Sequence, residues 1–446
     1  MFGRLTRINW RLVPIQAGIL ATLALVPLWH RLPYTPLAFT PLYVTRFLIL
    51  LPMLWTITWW LILGLPGWAA LRRDGRRHWA WALLLLVLWA FASTTWAFIK
   101  DLHPEVAQSA ALQLAIALLF ALVVACTPLP TRAASSVLTA GVFWNSILAF
   151  LQVAHQAPLG LEALGEFPIR PDEPGISVLM AGSIRWLRPY GLLAHPNLLG
   201  GFFVVGLLAT LAWVCSARLR DWVAGSIVFL GGLWGLLLTF SRAAWGGLAV
   251  GALAILPLYL STQLRRPAIR RRVMVTALLA AVVSLLFAAL YWPLLEARAG
   301  VNEERVEMRS IADRLVFLQF AERTILENPI IGVGIGNFPW RTSYYLLETD
   351  FDLRGDNVHN VYLLAWSELG IIGLGLLLAA MLSGSIQVWQ RFRQGRLHSA
   401  QIALFGAFIA LAAIGLLDHY PWTLIQFQTA WWGSLALCLK EPPAPA

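Results

Sequence analysis

The sequence predicts an all-α polytopic membrane protein of about 12 transmembrane helices. Three observations predict it. Apolar runs of roughly 18 residues or more, each long enough to cross a bilayer as a helix, recur along the whole chain. Only 12% of the residues are charged and 59% are hydrophobic, whereas charged residues make up about a quarter of a soluble domain. The remaining charges are also unequally shared between alternate connecting segments.

The expected spans are 14–30, 42–63, 79–99, 106–126, 134–154, 196–216, 222–239, 243–260, 273–293, 360–389, 399–417 and 424–440. Arg4, Arg7 and Arg11 before the first run resemble the charged start of a signal peptide. Pro27-Leu28-Trp29-His30 lacks the small-x-small cleavage pattern, so the run reads as an uncleaved first span. With the N-terminus cytoplasmic, the inner segments hold 19 of the 33 Lys and Arg and only three acids, Asp74, Asp221 and Glu441. That satisfies the positive-inside rule with both termini cytoplasmic. The net charge of +11 is therefore topology and not a nucleic-acid footprint. Cys126, Cys215 and Cys438 lie in or beside apolar runs, with neither a disulfide framework nor a metal spacing. Residues 1–440 form a single membrane domain without an internal repeat, and 441–446 (EPPAPA) read as a short disordered tail.

Two outer loops exceed simple connectors: 155–195, rich in Gly and Pro, and 294–359. In the second, Ile311, Leu315, Leu318 and Ile325 fall near helical spacing within Val306 to Leu326, as in a helix lying along a membrane surface. After Asn328-Pro329 comes IIGVGIGNF, whose glycines permit a tight backbone turn.

The polar residues at the outer boundary are the candidates for chemistry. His359, followed by Asn360, opens a long apolar helix that carries Glu368, and an imidazole at a helix mouth suits proton transfer or simple capping. Glu368 lies inside the span, where a charge must find a hydrogen-bonding neighbour or a polar cavity. Arg188 precedes His195-Pro196-Asn197, in which Pro196 fits the first turn of a span and His195 or Asn197 its cap. Arg242 occupies a very short outer turn, and Arg314 the surface helix. Guanidinium forks match phosphate oxygens, although each arginine also reads as a snorkelling or solvated side chain. Asp350-Phe351-Asp352 has the spacing of a metal-binding pair but reads as a solvated acidic loop. Asp418-His419 in the last outer turn is open to both readings.

The order RPYGLLAHPNLLGGFF, TFSRAAWGG, an outer helix near Asp313-Arg314, NPIIGVGIGNF and HNVYLLAWSELGIIG resembles the O-antigen ligase superfamily over about residues 185–380. That superfamily includes O-antigen polymerases and protein O-oligosaccharyltransferases. The resemblance implies a C-type glycosyltransferase membrane fold in the bacterial cytoplasmic (inner) membrane. It also implies metal-independent, inverting transfer of a glycan from undecaprenyl diphosphate to an acceptor hydroxyl on the outer face. Partners would be the lipid-linked donor, a glycan or glycolipid acceptor such as a lipopolysaccharide core, and the bilayer, with no cofactor and no nucleic acid. His359 matches the family's base. Arg242 and Arg314 match the diphosphate-binding arginines, and Arg188 is a looser match. Asn360, Glu368, His195 and Asn197 would support them. Polymerisation, protein glycosylation and transport of a lipid-linked glycan remain the alternatives.

Overall fold

The computed structural model describes residues 9–30, 48–73, 76–100, 102–167, 169–170, 175–182, 184–299, 305–348 and 356–440. Arg4, Arg7, Asp350, Asp352 and the tail 441–446 lie outside the described residues. Among the described residues, seventeen α-helices follow in order: α1 Val13–Leu25, α2 Leu50–Ile62, α3 Trp68–Arg73, α4 Arg76–Ile99, α5 Pro104–Cys126 and α6 Thr131–His155. Then come α7 Pro196–Val214, α8 Leu219–Leu238, α9 Arg242–Leu260, α10 Pro267–Leu290, α11 Trp292–Ala299, α12 Arg305–Glu327 and α13 Phe338–Leu346. The chain closes with α14 Val361–Arg393, α15 Ser399–Ile414, α16 Tyr420–Thr423 and α17 Ile425–Leu439.

Among the described residues, eight helices are long and apolar enough to cross a membrane: α4 to α10 and α14. Each of the other four expected spans coincides with a shorter helix: α1, α2, α15 and α17. The protein is thus a multi-pass, mainly helical membrane protein. Of α7's most apolar window 83% is buried, against 11% for α10, so α7 is central and α10 peripheral. Around α7 pack α6, α8, α9 and α15, with α17 joining α5 and α15. In lipid, such packing is driven by van der Waals fit and not by apolar burial, and an apolar outer surface like that of α10 is ordinary.

The all-α expectation has one exception. In the first long connecting segment, Val178–Ala181 (β1) and Ile184–Leu187 (β2) pair antiparallel, with Leu179 opposite Trp186. The strands are two short, mainly apolar segments, VLMA and IRWL, on either side of Gly182, whose φ of 60 suits the tight turn between them. The second long connecting segment holds a helix where one was expected, α12, plus α11 and α13. The face of α12 that packs inward is Phe317, Phe320, Ala321 and Ile325, while Leu315 and Leu318 stay exposed.

α14 is broken. Gly370 takes φ 68, ψ −175, a conformation essentially confined to glycine, and a Cβ there would collide with the Ile330 carbonyl. Backbone groups released by a break in lipid must be satisfied elsewhere. Val333 and Gly334 donate their N–H groups to Ser367 O (3.0 Å) and Glu368 O (2.8 Å), and the Ile371 N–H reaches Pro329 O at 2.9 Å. Trp89 Nε1 donates to Leu369 O at 2.8 Å. The glycine-rich loop after Asn328-Pro329 is therefore the complement of the break.

Candidate functional site

Hydrogen bonds join the start of α7 to the α15–α16 turn (Asn197 to Asp418), the segment before α7 to the α8–α9 turn (Arg188 to Thr239 O), and the start of α14 to the end of α15 (Val361 N–H to Gly415 O). His359 sits just before α14, whose N-cap is Asn360. The Asn360 side chain accepts the N–H groups of Tyr362 (2.9 Å) and Leu363 (3.0 Å), two of the donors that a helix start leaves without partners. The same residue donates Nδ2 to Leu416 O at 3.1 Å, and the Val361 N–H reaches Gly415 O at 2.7 Å. These bonds fasten His359 to the turn that carries Asp418 and His419.

The two imidazole rings meet edge to face, centroids 5.2 Å apart. Ligand atoms of His359, Asp418 and His419 lie within 4.8 Å of one another. Gripping a metal at about 2.1 Å per bond needs ligand atoms roughly 3.4 Å apart in a tetrahedral shell, and Arg314 would repel a dication there. Proton chemistry suits the trio better. His419 is oriented by a 2.9 Å bond between Nδ1 and Thr423 Oγ1, while His359 Nδ1 is buried with no hydrogen-bond partner. Burial holds the His359 pKa below the usual imidazole value; His419 and Arg314 add to this, and Asp418 and Asp356 oppose it.

Behind Asp418 runs a buried polar chain. Asn197 Nδ2 donates to Asp418 Oδ2 (3.0 Å), and Asn197 Oδ1 accepts from Arg188 Nη2 (2.9 Å). Arg188 also donates from Nε to Thr239 O and from Nη1 to Ser177 Oγ, both at 2.7 Å. Arg188, Asn197 and Asp418 are 3%, 9% and 4% exposed. A buried charge is tolerated when it is paired and hydrogen-bonded, and here guanidinium and carboxylate share one amide. His195 caps α7, its Nδ1 accepting the Asn197 N–H at 3.1 Å. Burial, and then the Arg188 charge, push its pKa down to about 3, which keeps the ring neutral as a cap.

Arg242 opens α9 directly after a strained turn. Phe240 has φ 47, uncommon for a non-glycine residue, and is buried among Trp245, Phe287 and Tyr291. The exposed Arg242 donates Nη1 to Arg298 O at 3.0 Å, and Arg298 Nε returns to Phe240 O at 3.1 Å. Arg298 lies within electrostatic reach of His195, and Arg314 within that of His359. Of the expected residues, Arg314 thus lies near His359, which Asn360 anchors, and Arg242 is tied through Arg298 to the surroundings of His195. Arg188 and Asn197 lie behind Asp418, and His195 caps α7.

Glu368 stands apart. It is 1% exposed, accepts from Trp422 Nε1 at 3.0 Å, and is also hydrogen-bonded by the backbone at Gly336 and Phe338. Its expected hydrogen-bonding neighbours are therefore the last outer turn and the glycine-rich loop. Nothing in the sequence spacing singled out Arg298, or the pairing of Asp418 with Asn197 across 221 positions. The only available signal was the presence of each in an outer turn.

No curated protein matches the chain. Residues 226–378 match the family model for O-antigen ligase, a stretch running from α8 into α14 that contains Arg242, Arg314 and His359. Over that stretch, this multi-pass membrane protein is thus similar to the O-antigen ligase family.

Proposed function

We propose that the protein transfers a glycan from undecaprenyl diphosphate to an acceptor hydroxyl on the outer face of the bacterial cytoplasmic membrane, in the manner of an O-antigen ligase. The single observation that carries this reading is the setting of His359. It is an imidazole kept neutral by burial, with a carboxylate beside it and the Arg314 guanidinium within electrostatic reach. Twelve crossings with both termini cytoplasmic would put that site on the outer face, in keeping with the charge distribution.

The chemistry then has named parts. Arg242 and Arg314, with Arg298 beside Arg242, hold the diphosphate and stabilise the charge that grows as the sugar C1–O bond breaks. The acceptor oxygen bonds to C1 from the opposite side. Its proton passes to His359, and undecaprenyl diphosphate leaves with the electron pair of the broken bond. Asp418 stabilises the imidazolium so formed. Arg188, first expected among the diphosphate ligands, serves here as a positioning residue, since its Nε, Nη1 and Nη2 already bind Thr239, Ser177 and Asn197. One displacement inverts the anomeric centre, and no step needs a metal.

Purified protein given an undecaprenyl-diphosphate-linked glycan and a panel of acceptors tests this. Release of undecaprenyl diphosphate with a glycolipid acceptor is expected. Release only with a second lipid-linked glycan would name a repeat-unit polymerase, and release only with a Ser/Thr protein an O-oligosaccharyltransferase. A lipid-linked glycan transporter is the other reading, favoured by the break in α14 at Gly370. No release with any acceptor would select it.

A further inference from the structure

A polar cavity of about 470 Å³ lies at the end of the bundle remote from His359. The start of α7 and the end of α15 carry the bonds from Asn197 to Asp418 and from Val361 to Gly415. The opposite ends of the same two helices, Cys215 after α7 and Ser399 opening α15, line this cavity. At about 1.5 Å per residue, α15 alone puts roughly 24 Å between the two places. Arg132, Arg218 and His398 are its exposed walls, and Gln401 and Lys440 are buried ones, 1% and 2% exposed. Among the described residues, no Asp or Glu lines it. Asp221, just outside, accepts from Arg132 Nη2 at 2.5 Å and from Ser216 Oγ at 3.0 Å. The charge of Arg132 is thereby offset, and Arg218 and Lys440 are the cations left to the cavity.

Lys440 is held in an unusual way. The last carbonyls of a helix have no partners within it, and at the end of α17 side chains of three other helices take them. Arg76 Nη1 (α4) and Arg391 Nη1 (α14) donate to Leu439 O at 3.1 and 3.0 Å, and Arg391 Nη2 donates to Lys440 O. Gln401 Nε2 (α15) reaches Leu437 O and Cys438 O, both at 3.3 Å. The Lys440 backbone is thus fixed, but its ammonium is not provided for. Among the described residues, Lys440 Nζ is buried with no hydrogen-bond partner, at a helix end that already holds two guanidinium groups. A buried cation without an acceptor is costly, and an anion in the cavity would remove that cost. Two helices also begin at its walls, α6 at Thr131 and α15 at Ser399, and the positive end of a helix favours an anion. A phosphate spreads its charge over several oxygens, so one group can accept from an ammonium and a guanidinium together. The charge count assigns Arg132, Arg218 and Lys440 to the cytoplasmic side, where basic pockets between membrane helices meet anionic headgroups.

We propose that this cavity binds a phosphate group, carried by an anionic phospholipid or by a soluble phosphate ester, through Lys440 with Arg218 at its exposed side. The site does not depend on the glycosyl-transfer reading. The full-length protein in detergent is titrated with phosphatidylglycerol, phosphatidylcholine or inorganic phosphate. Native mass spectrometry reads lipid binding, and the rise in melting temperature reads all three ligands. The wild type should prefer phosphatidylglycerol to the zwitterionic phosphatidylcholine. Lys440→Met should weaken phosphatidylglycerol binding about tenfold or more, the worth of a charge-assisted hydrogen bond. Arg218→Gln should weaken it about threefold, as befits an exposed charge. Without ligand, Lys440→Met should melt no lower than wild type, because it removes a buried cation that lacks a partner. Stabilisation of the wild type by the lipid alone names a headgroup as the source of the phosphate. Stabilisation by inorganic phosphate that Lys440→Met abolishes names a soluble ester. Equal affinity in the wild type and both variants, or no preference for phosphatidylglycerol together with no effect of phosphate, overturns the site. An unliganded Lys440→Met that melts below wild type marks a structural lysine and also overturns it.

Discussion

α14 presents two titratable groups near its N-terminal end, and they are treated in opposite ways. Glu368, two turns inside the helix, is sealed: Trp422 Nε1 and the glycine-rich loop satisfy its carboxylate. His359, one residue before the cap, keeps Nδ1 buried and unpaired beside Asp418 and His419. A satisfied buried polar group rigidifies the fold, whereas an unsatisfied one is a cost the fold retains for a reason. On the proposed mechanism, the contrast gives architecture to Glu368 and chemistry to His359.

Replacing each by glutamine gives the sharpest break in that comparison. His359→Gln should lower glycan transfer by about 10²–10⁴-fold, the usual contribution of a positioned base, with the melting temperature held. Glu368→Gln should leave a protein that still transfers once folded. Comparable losses of transfer in folded samples of both would erase the distinction. Next in size are the arginines proposed to hold the diphosphate. Arg242→Ala and Arg314→Ala should each cost about 10²–10³-fold in kcat/KM for the lipid-linked donor, while Arg188→Lys should alter kcat without weakening donor binding. Binding isotherms for the donor separate these cases.

Smaller effects follow. Glu368→Gln brings an NH₂ group to the glycine-rich loop's N–H groups and should destabilise by about 1–3 kcal/mol, readable as a lowered melting temperature in detergent. The smallest is a shift in the pH–rate profile. Because the His359 pKa is lowered by burial, by His419 and by Arg314, transfer should hold down to below pH 6.5 and fall at lower pH as the ring protonates. Arg314→Gln removes a charge that lowers the pKa, so the acid limb should move up. Asp418→Asn removes one that raises it, so the limb should move down. Shifts in the reverse directions would place these residues elsewhere.

Much of this was legible from residue order. Apolar run length and the sidedness of Arg and Lys mark the bundle, and Asn360 and Pro196 mark helix starts before any contact is known. The site was legible in part, since Arg242, Arg314 and His359 each stand at an expected outer boundary. What stayed hidden depends on long-range pairing. Asn197 meets Asp418 across 221 positions, so the arginine expected to bind diphosphate is buried behind that pair. The strands β1 and β2 and the helices α11 and α13 were too short to stand out in a loop.

Stereochemistry tests the central claim, a single displacement with His359 as base, most directly. The protein would be given a donor whose first sugar has a known anomeric configuration at the diphosphate, and the new linkage in the product read by NMR. Inversion at C1 is predicted. Retention would require a covalent glycosyl intermediate and would contradict the assignment of His359 as the base of a one-step transfer.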